Sequence, residues 1–259
     1  MFETLWGSSV LGGLPASMLA LAALIYMFAG LVKGTLGIGF PTTAVSLFAQ
    51  FTDARTAISV VIIPMIVTNA WQVWRSRQIQ KIVSTYWRLL ITSVVFIALF
   101  AQLSSLIPVE YVTLFLGIVI SFYSITTLYK PVFTIRPEKD KQAQAVAGLA
   151  SGIMGGIAGV WAPPIVMYLS ARGVSKEQFV ATAGVFLFSG SVVLFVAYWN
   201  TGLVGPSVAM SSCFLLIPSM LGMVLGERVR HQLSAKRFEK LLLIVFLIMG
   251  LNLIRRAIW

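Results

Sequence analysis

Apolar residues in this chain arrive in long uninterrupted blocks, with neither the two-residue alternation of a half-buried strand nor the narrow stripe of a soluble helix. The blocks cover residues 14–31, 56–74, 89–107, 111–129, 179–199, 207–225 and 241–254. Each is long enough, or nearly so, to cross a hydrocarbon core of about 30 Å at about 1.5 Å per helical residue. Two shorter apolar stretches, 42–51 and 164–171, follow prolines and are too short to cross comfortably. The pattern predicts an all-α, polytopic integral membrane protein.

Composition agrees. Of 259 residues, 58% are hydrophobic and only 10% are charged, where a soluble domain carries about 25%. That charge is too little to coat a water-soluble globule of this size. The net charge of +11 does not indicate nucleic acid, because Lys and Arg cluster in the connections between apolar blocks. The partners expected are therefore the lipid bilayer and a small solute, with no nucleic acid. Cys213 is the single cysteine, which excludes disulfide frameworks and cysteine-based metal sites. Residues 1–9 lack the basic segment of a cleaved signal peptide, so the first block reads as a retained span.

Basic connections stay cytoplasmic. Arg75, Arg77, Lys81 and Arg88 form one such connection; Lys130, Arg136, Lys139 and Lys141 the next; then Arg172 with Lys176; and last Arg228, Arg230, Lys236, Arg237 and Lys240. Connections without basic residues, 108–110 and 200–206, alternate with these. Of the 19 Lys and Arg, only Arg55, Arg255 and Arg256 fall outside, and Lys33 lies within an apolar segment. Both termini are expected outside, with Arg255 and Arg256 against the trend.

An internal repeat divides the chain. Residues 29–37 read AGLVKGTLG and residues 147–155 read AGLASGIMG, five identities in nine positions. A proline follows each, Pro41 and Pro163, then one of the short apolar stretches, a polar turn and full-length spans. The organisation expected is a first repeat at 1–130, a basic cytoplasmic linker at 131–141 and a second repeat at 142–259. The charge pattern starts one half outside and the other inside, so the two form an inverted-topology repeat. Each half holds a Gly-rich broken or re-entrant hairpin plus about three full spans.

Glycines four apart let helices approach closely, which accounts for some of these residues. The dense sets Gly34, Gly37, Gly39 and Gly152, Gly155, Gly156, Gly159 do more, since each glycine weakens a helix by about 1 kcal/mol against alanine. Each set runs into a proline suited to a helix start. Helix, unwound tip and half-helix are expected, with the two tips meeting near the membrane midplane. Irregular backbone at that depth must be buried in protein or line a wet cavity. Half-helix N-termini there favour an anion.

Lys33, the ionisable residue inside the first tip, marks the candidate substrate site; a lysine snorkelling to the headgroups is the alternative. Ser151 is its counterpart in the nonapeptide. The candidate substrate-binding set is Lys33, Gly34, Thr35, Gly37, Gly39, Thr42, Thr43, Asn69, Gln72, Ser151, Gly152, Gly155, Gly156 and Trp161. No catalytic residue, metal ligand or cofactor is expected: the acidic residues lie in connections or at segment ends, His231 lies in a basic turn, and no carboxylate pair sits inside the membrane.

The two tips, 34–41 (GTLGIGFP) and 152–163 (GIMGGIAGVWAP), in a basic-loop chain of this length, resemble the TauE/SafE sulfite exporter family. The resemblance covers essentially the whole chain. It implies a transporter of sulfite, organosulfonates or related sulfur-containing anions in the bacterial inner membrane. The glycine runs here are interrupted by Ile38 and by Ile157-Ala158. The reading is a secondary transporter, an exporter of a small anion; an anion channel or a cation-coupled importer of a small organic acid are the alternatives. Oligomeric state stays open.

Overall fold

The computed structural model describes residues 9–11, 14–129, 134–230 and 235–259; Lys130, His231 and residues 1–8 lie outside them. A short antiparallel pairing of Ser9–Leu11 with Leu14–Pro15 precedes the helices. These are α1 (Ala16–Leu36), α2 (Phe40–Phe48), α3 (Ala54–Ser76), α4 (Ile79–Ser104), α5 (Val109–Tyr129), α6 (Asp140–Ala158), α7 (Ala162–Ala171), α8 (Lys176–Asn200), α9 (Pro206–Val229) and α10 (Ala235–Ile258). Among the described residues seven helices, all but α2, α6 and α7, are long and apolar enough to cross a membrane. The chain is a polytopic helical membrane protein. Of the expected linker 131–141, the described part ends in a 3-10 turn at Pro137–Lys139, and α6 begins at Asp140.

Both predicted breaks are present. After α1, Gly37 and Gly39 adopt φ of 84° and 95°; after α6, Gly159 adopts 66°. Only glycine takes this left-handed backbone without strain. Pro41 and Pro163 sit in the first turns of α2 and α7, where a missing N–H costs nothing. The Tyr26 ring meets Phe40 and Phe48 edge-on at 6.0 and 6.3 Å. One residue of α1 thus touches both ends of α2, and the two helices form a hairpin.

The helix pairs follow from small residues. Gly30 and Gly34 of α1 lie against the backbone of Ser219, Met223 and Glu227, while Gly222 and Gly226 of α9 lie against Met27 and Leu31. Both series ascend together, so α1 and α9 are parallel. In the same way Gly148, Gly152 and Gly156 of α6 lie against Thr92, Phe96 and Phe100 of α4. Gly117 faces Gly250 and Ile254 while Gly250 faces Ser121, which makes α5 and α10 antiparallel. α3 and α8 are antiparallel too, since Gln72 bonds Val180 near the start of α8 and Arg55 acts on Tyr198 near its end. Exchanging α1–α5 with α6–α10 carries each of these pairs into itself or into another. The exchange extends to single contacts: Gly37 abuts Val180, and Gly159 abuts Ile58.

Two expectations need correction. The nonapeptides set Lys33 opposite Ser151, but α6 runs one turn further than α1 before it breaks. Gly155 stays helical and Gly159 takes the role of Gly37. In the register of the breaks, the prolines and the helix caps Asp53 and Ser175, the residue opposite Lys33 is Gly155. Nor do the tips meet. Gly37 lies beside Gln72 and Val180, Gly159 beside Ile58. Ile58 and Gln72 are separated along α3 by about 21 Å at about 1.5 Å per residue. Each first helix is long enough to pass the middle before it breaks, so the tips bracket the centre from opposite ends.

Candidate functional site

Arg75, Lys176 and Arg230 gather at one end of the bundle, called here the basic end. A cavity of about 680 Å³ opens there, and Lys33, Gly34, Gly37 and Gln72 form its inner wall. Lys33 is 1% exposed, and its Nζ donates to Oδ1 of Asn69 on α3. The Asn69 amide nitrogen is buried without a partner. The Lys33 amine and an amide N–H2 therefore adjoin, and among the described residues the amine's hydrogen-bonded partner is the neutral Asn69 amide. Beside them the Gln72 amide donates to the carbonyls of Gly37 (3.1 Å) and Val180 (2.7 Å). It ties the first break to α8 and satisfies two part-buried carbonyls.

The mouth carries Arg75, Lys176 and Arg230 with Glu177 and Glu227. Arg75 and Glu227 are already paired at 2.7 Å, an exposed bridge of small energetic weight. Counting Lys33, the lining holds four cationic and two anionic side chains, a field that concentrates anions.

A second cavity of about 680 Å³ lies across the break, with Thr35 and Gly39 in its wall and Lys176 and Val180 shared with the first. Thr35 Oγ1 donates to the Leu31 carbonyl at 2.8 Å. Thr42 and Thr43 are buried on α2, and Thr43 Oγ1 is spent on the Gly39 carbonyl at 2.8 Å. The residues of the second tip are elsewhere. Gly152 and Gly156 accommodate α4, Gly155 accommodates the Trp161 ring, and none of them lines either cavity. Ser151 Oγ and the Trp161 indole nitrogen are both buried without a partner. The structure thus gathers Lys33, Gly34, Gly37, Asn69 and Gln72, and leaves Ser151, Gly152, Gly155, Gly156 and Trp161 in the packing between α4, α6 and α8.

Sequence reasoning passed over the mouth. Arg75, Lys176 and Arg230 served there only to orient helices, and nothing in their spacing marks them as neighbours. Their positions just after or just before full-length spans were the one available signal.

The family model for the sulfite exporter TauE/SafE matches residues 22–253, nearly the whole chain and both breaks. The chain belongs to the TauE/SafE family. Membership makes it a membrane transporter, and it implies sulfur-containing anions such as sulfite as the class carried. No curated protein and no solved structure matches the chain.

Proposed function

We propose that this TauE/SafE chain is a secondary transporter, an exporter in the inner membrane, of sulfite, an organosulfonate or a related small sulfur-containing anion. The observation that carries the site is Lys33: a fully buried lysine on a cavity wall whose bonded partner is a neutral amide. An ion costs several kcal/mol inside a membrane (roughly 2.5–3.5 on insertion scales) unless something compensates it. A bound oxyanion supplies that compensation, accepting from Lys33 Nζ and the spare Asn69 N–H, while Gln72 holds the break in place. The basic end is the cytoplasmic one by the positive-inside rule, so the cavity presents this site to the cell interior, as loading an exporter requires. The reciprocal helix pairs support two inverted repeats, 1–130 and 142–259 joined by the linker 131–141, and with them alternating access.

Lys33→Gln tests the reading, because the new amide can still bond Asn69 but carries no charge. Sulfite counterflow in proteoliposomes is expected to fall at least tenfold while the variant inserts and melts as the parent does. Unchanged counterflow would return Lys33 to a structural role.

A further inference from the structure

At the end opposite the basic end, two arginines clamp helix ends together. Arg55, two residues after the Asp53 cap of α3, donates from Nη2 to the carbonyls of Ser104 (2.8 Å) and Ile107 (2.6 Å) in the α4–α5 turn. Arg256 of α10 donates from Nη1 to the carbonyls of Ala49 and Gln50 past the end of α2, both at 2.8 Å. These carbonyls lie at or just past helix C-termini, where cations are favourable; the Ser104 carbonyl also accepts from the Ile107 backbone N–H at 3.3 Å. The three basic residues expected outside include these two clamps. The basic end, by contrast, is open.

The internal exchange says which groups correspond. Arg55 follows Asp53 as Glu177 follows Ser175, each cap accepting from the backbone N–H three residues on. The partner of Arg55 is the C-terminal end of α4. The matching end of α9 carries Arg230. Glu177 and Arg230 both line the cavity mouth; the Glu177 carboxylate is stabilised chiefly by hydrogen bonds from its own backbone N–H and from Ser175, with smaller contributions from the Lys176 and Arg230 charges. Among the described residues neither is in an ion pair, whereas the other acidic residue of the mouth, Glu227, is held by Arg75. Lys176 is the remaining cation there.

We propose that Glu177 and Arg230 are the inner gate: an ion pair parted in this conformation that closes the mouth when Arg55 releases the α4–α5 turn. The pair rests on the transporter reading for its purpose but not for its geometry. Closing it draws the start of α8 onto the end of α9, and so covers Lys33 from the basic end. The two gates differ chemically. The outer one sets a cation on backbone carbonyls, the inner one a cation on a carboxylate, so only the inner one can be rewritten by exchanging charges.

The test uses the full chain with Cys213→Ser and a reporter thiol, Ser76→Cys, in the cavity wall. Labelling of that thiol by a membrane-impermeant maleimide in inside-out vesicles reads how often the mouth is open; counterflow of radiolabelled sulfite reads transport. Glu177→Arg and Arg230→Glu each place like charges across the mouth. Each is expected to raise labelling and cut counterflow at least tenfold, and the two together are expected to restore both within twofold. A single variant that fails to insert is replaced by Glu177→Gln or Arg230→Gln. Singles indistinguishable from the parent, or a double variant no better than the worse single, would overturn the gate. If the parent carries no sulfite, the labelling pattern alone judges the gate, and only the substrate assignment falls.

Discussion

Lys33 and Asn69 come from different helices, and the buried Asn69 amide nitrogen is left without a partner, as the proposed anion site requires. A structural role would favour a carboxylate at position 69, giving the ammonium a full counter-charge. Asn69→Asp separates the two roles. Its carboxylate would occupy the place of the anion, so sulfite affinity is expected to fall more than tenfold and further than in Asn69→Ala. The thermal midpoint in detergent should hold or rise. Undiminished binding by Asn69→Asp would mean that the anion does not touch Lys33. Both residues were legible one at a time, Lys33 by its charge in an apolar segment and Asn69 as a polar residue within a span. Their pairing was not, because it depends on the rotation of α1 against α3, which packing with α9 and α8 decides. Thr43 shows the reverse: a hydroxyl that looked like a ligand donor is used by its own helix.

At the scale of elements, the close approach of α1 and α9 is the most demanding contact. A side chain at Gly34 or Gly226 would run into facing backbone, which cannot yield as a side-chain tip can. Gly34→Leu is expected to destabilise by roughly 3 kcal/mol or more, beyond the usual 1–3 for overpacking, and to lower the yield of folded protein. Gly205→Ala, where nothing stands within 4 Å, should stay within about 0.5 kcal/mol. Equal losses from both would show that α1 and α9 are not packed this way. The breaks themselves were readable, since Gly-rich tips followed by proline have few other outcomes. Their register was not. The matching nonapeptides lie on the helical side of each break, where glycines serve close packing, and one added turn in α6 leaves that packing unchanged while moving the break.

For the whole molecule, the charge pattern put Arg75, Lys176 and Arg230 on one side, as the structure does, but gave no sign that they surround a cavity. An anion leaving the cell crosses the inside-negative potential downhill by about 2.3 kcal/mol per charge per 100 mV. Sulfite counterflow at imposed potentials is therefore expected to grow as the interior becomes more negative, by up to about fifty-fold in equilibrium ratio per net charge at 100 mV. Transport indifferent to the potential would rule out an uncoupled anion exporter.

The parallel seating of α1 on α9 also bears on how the protein is made. α1 leaves the ribosome well before α9, with α2 to α8 between them, so the glycine face of α1 must wait for the surface it fits. Meanwhile α2 and α3 are its available neighbours, and α3 brings Asn69 to the lysine early. The Lys33–Asn69 contact lies wholly within the first half of the chain, so it can form before the second half arrives to enclose the lysine.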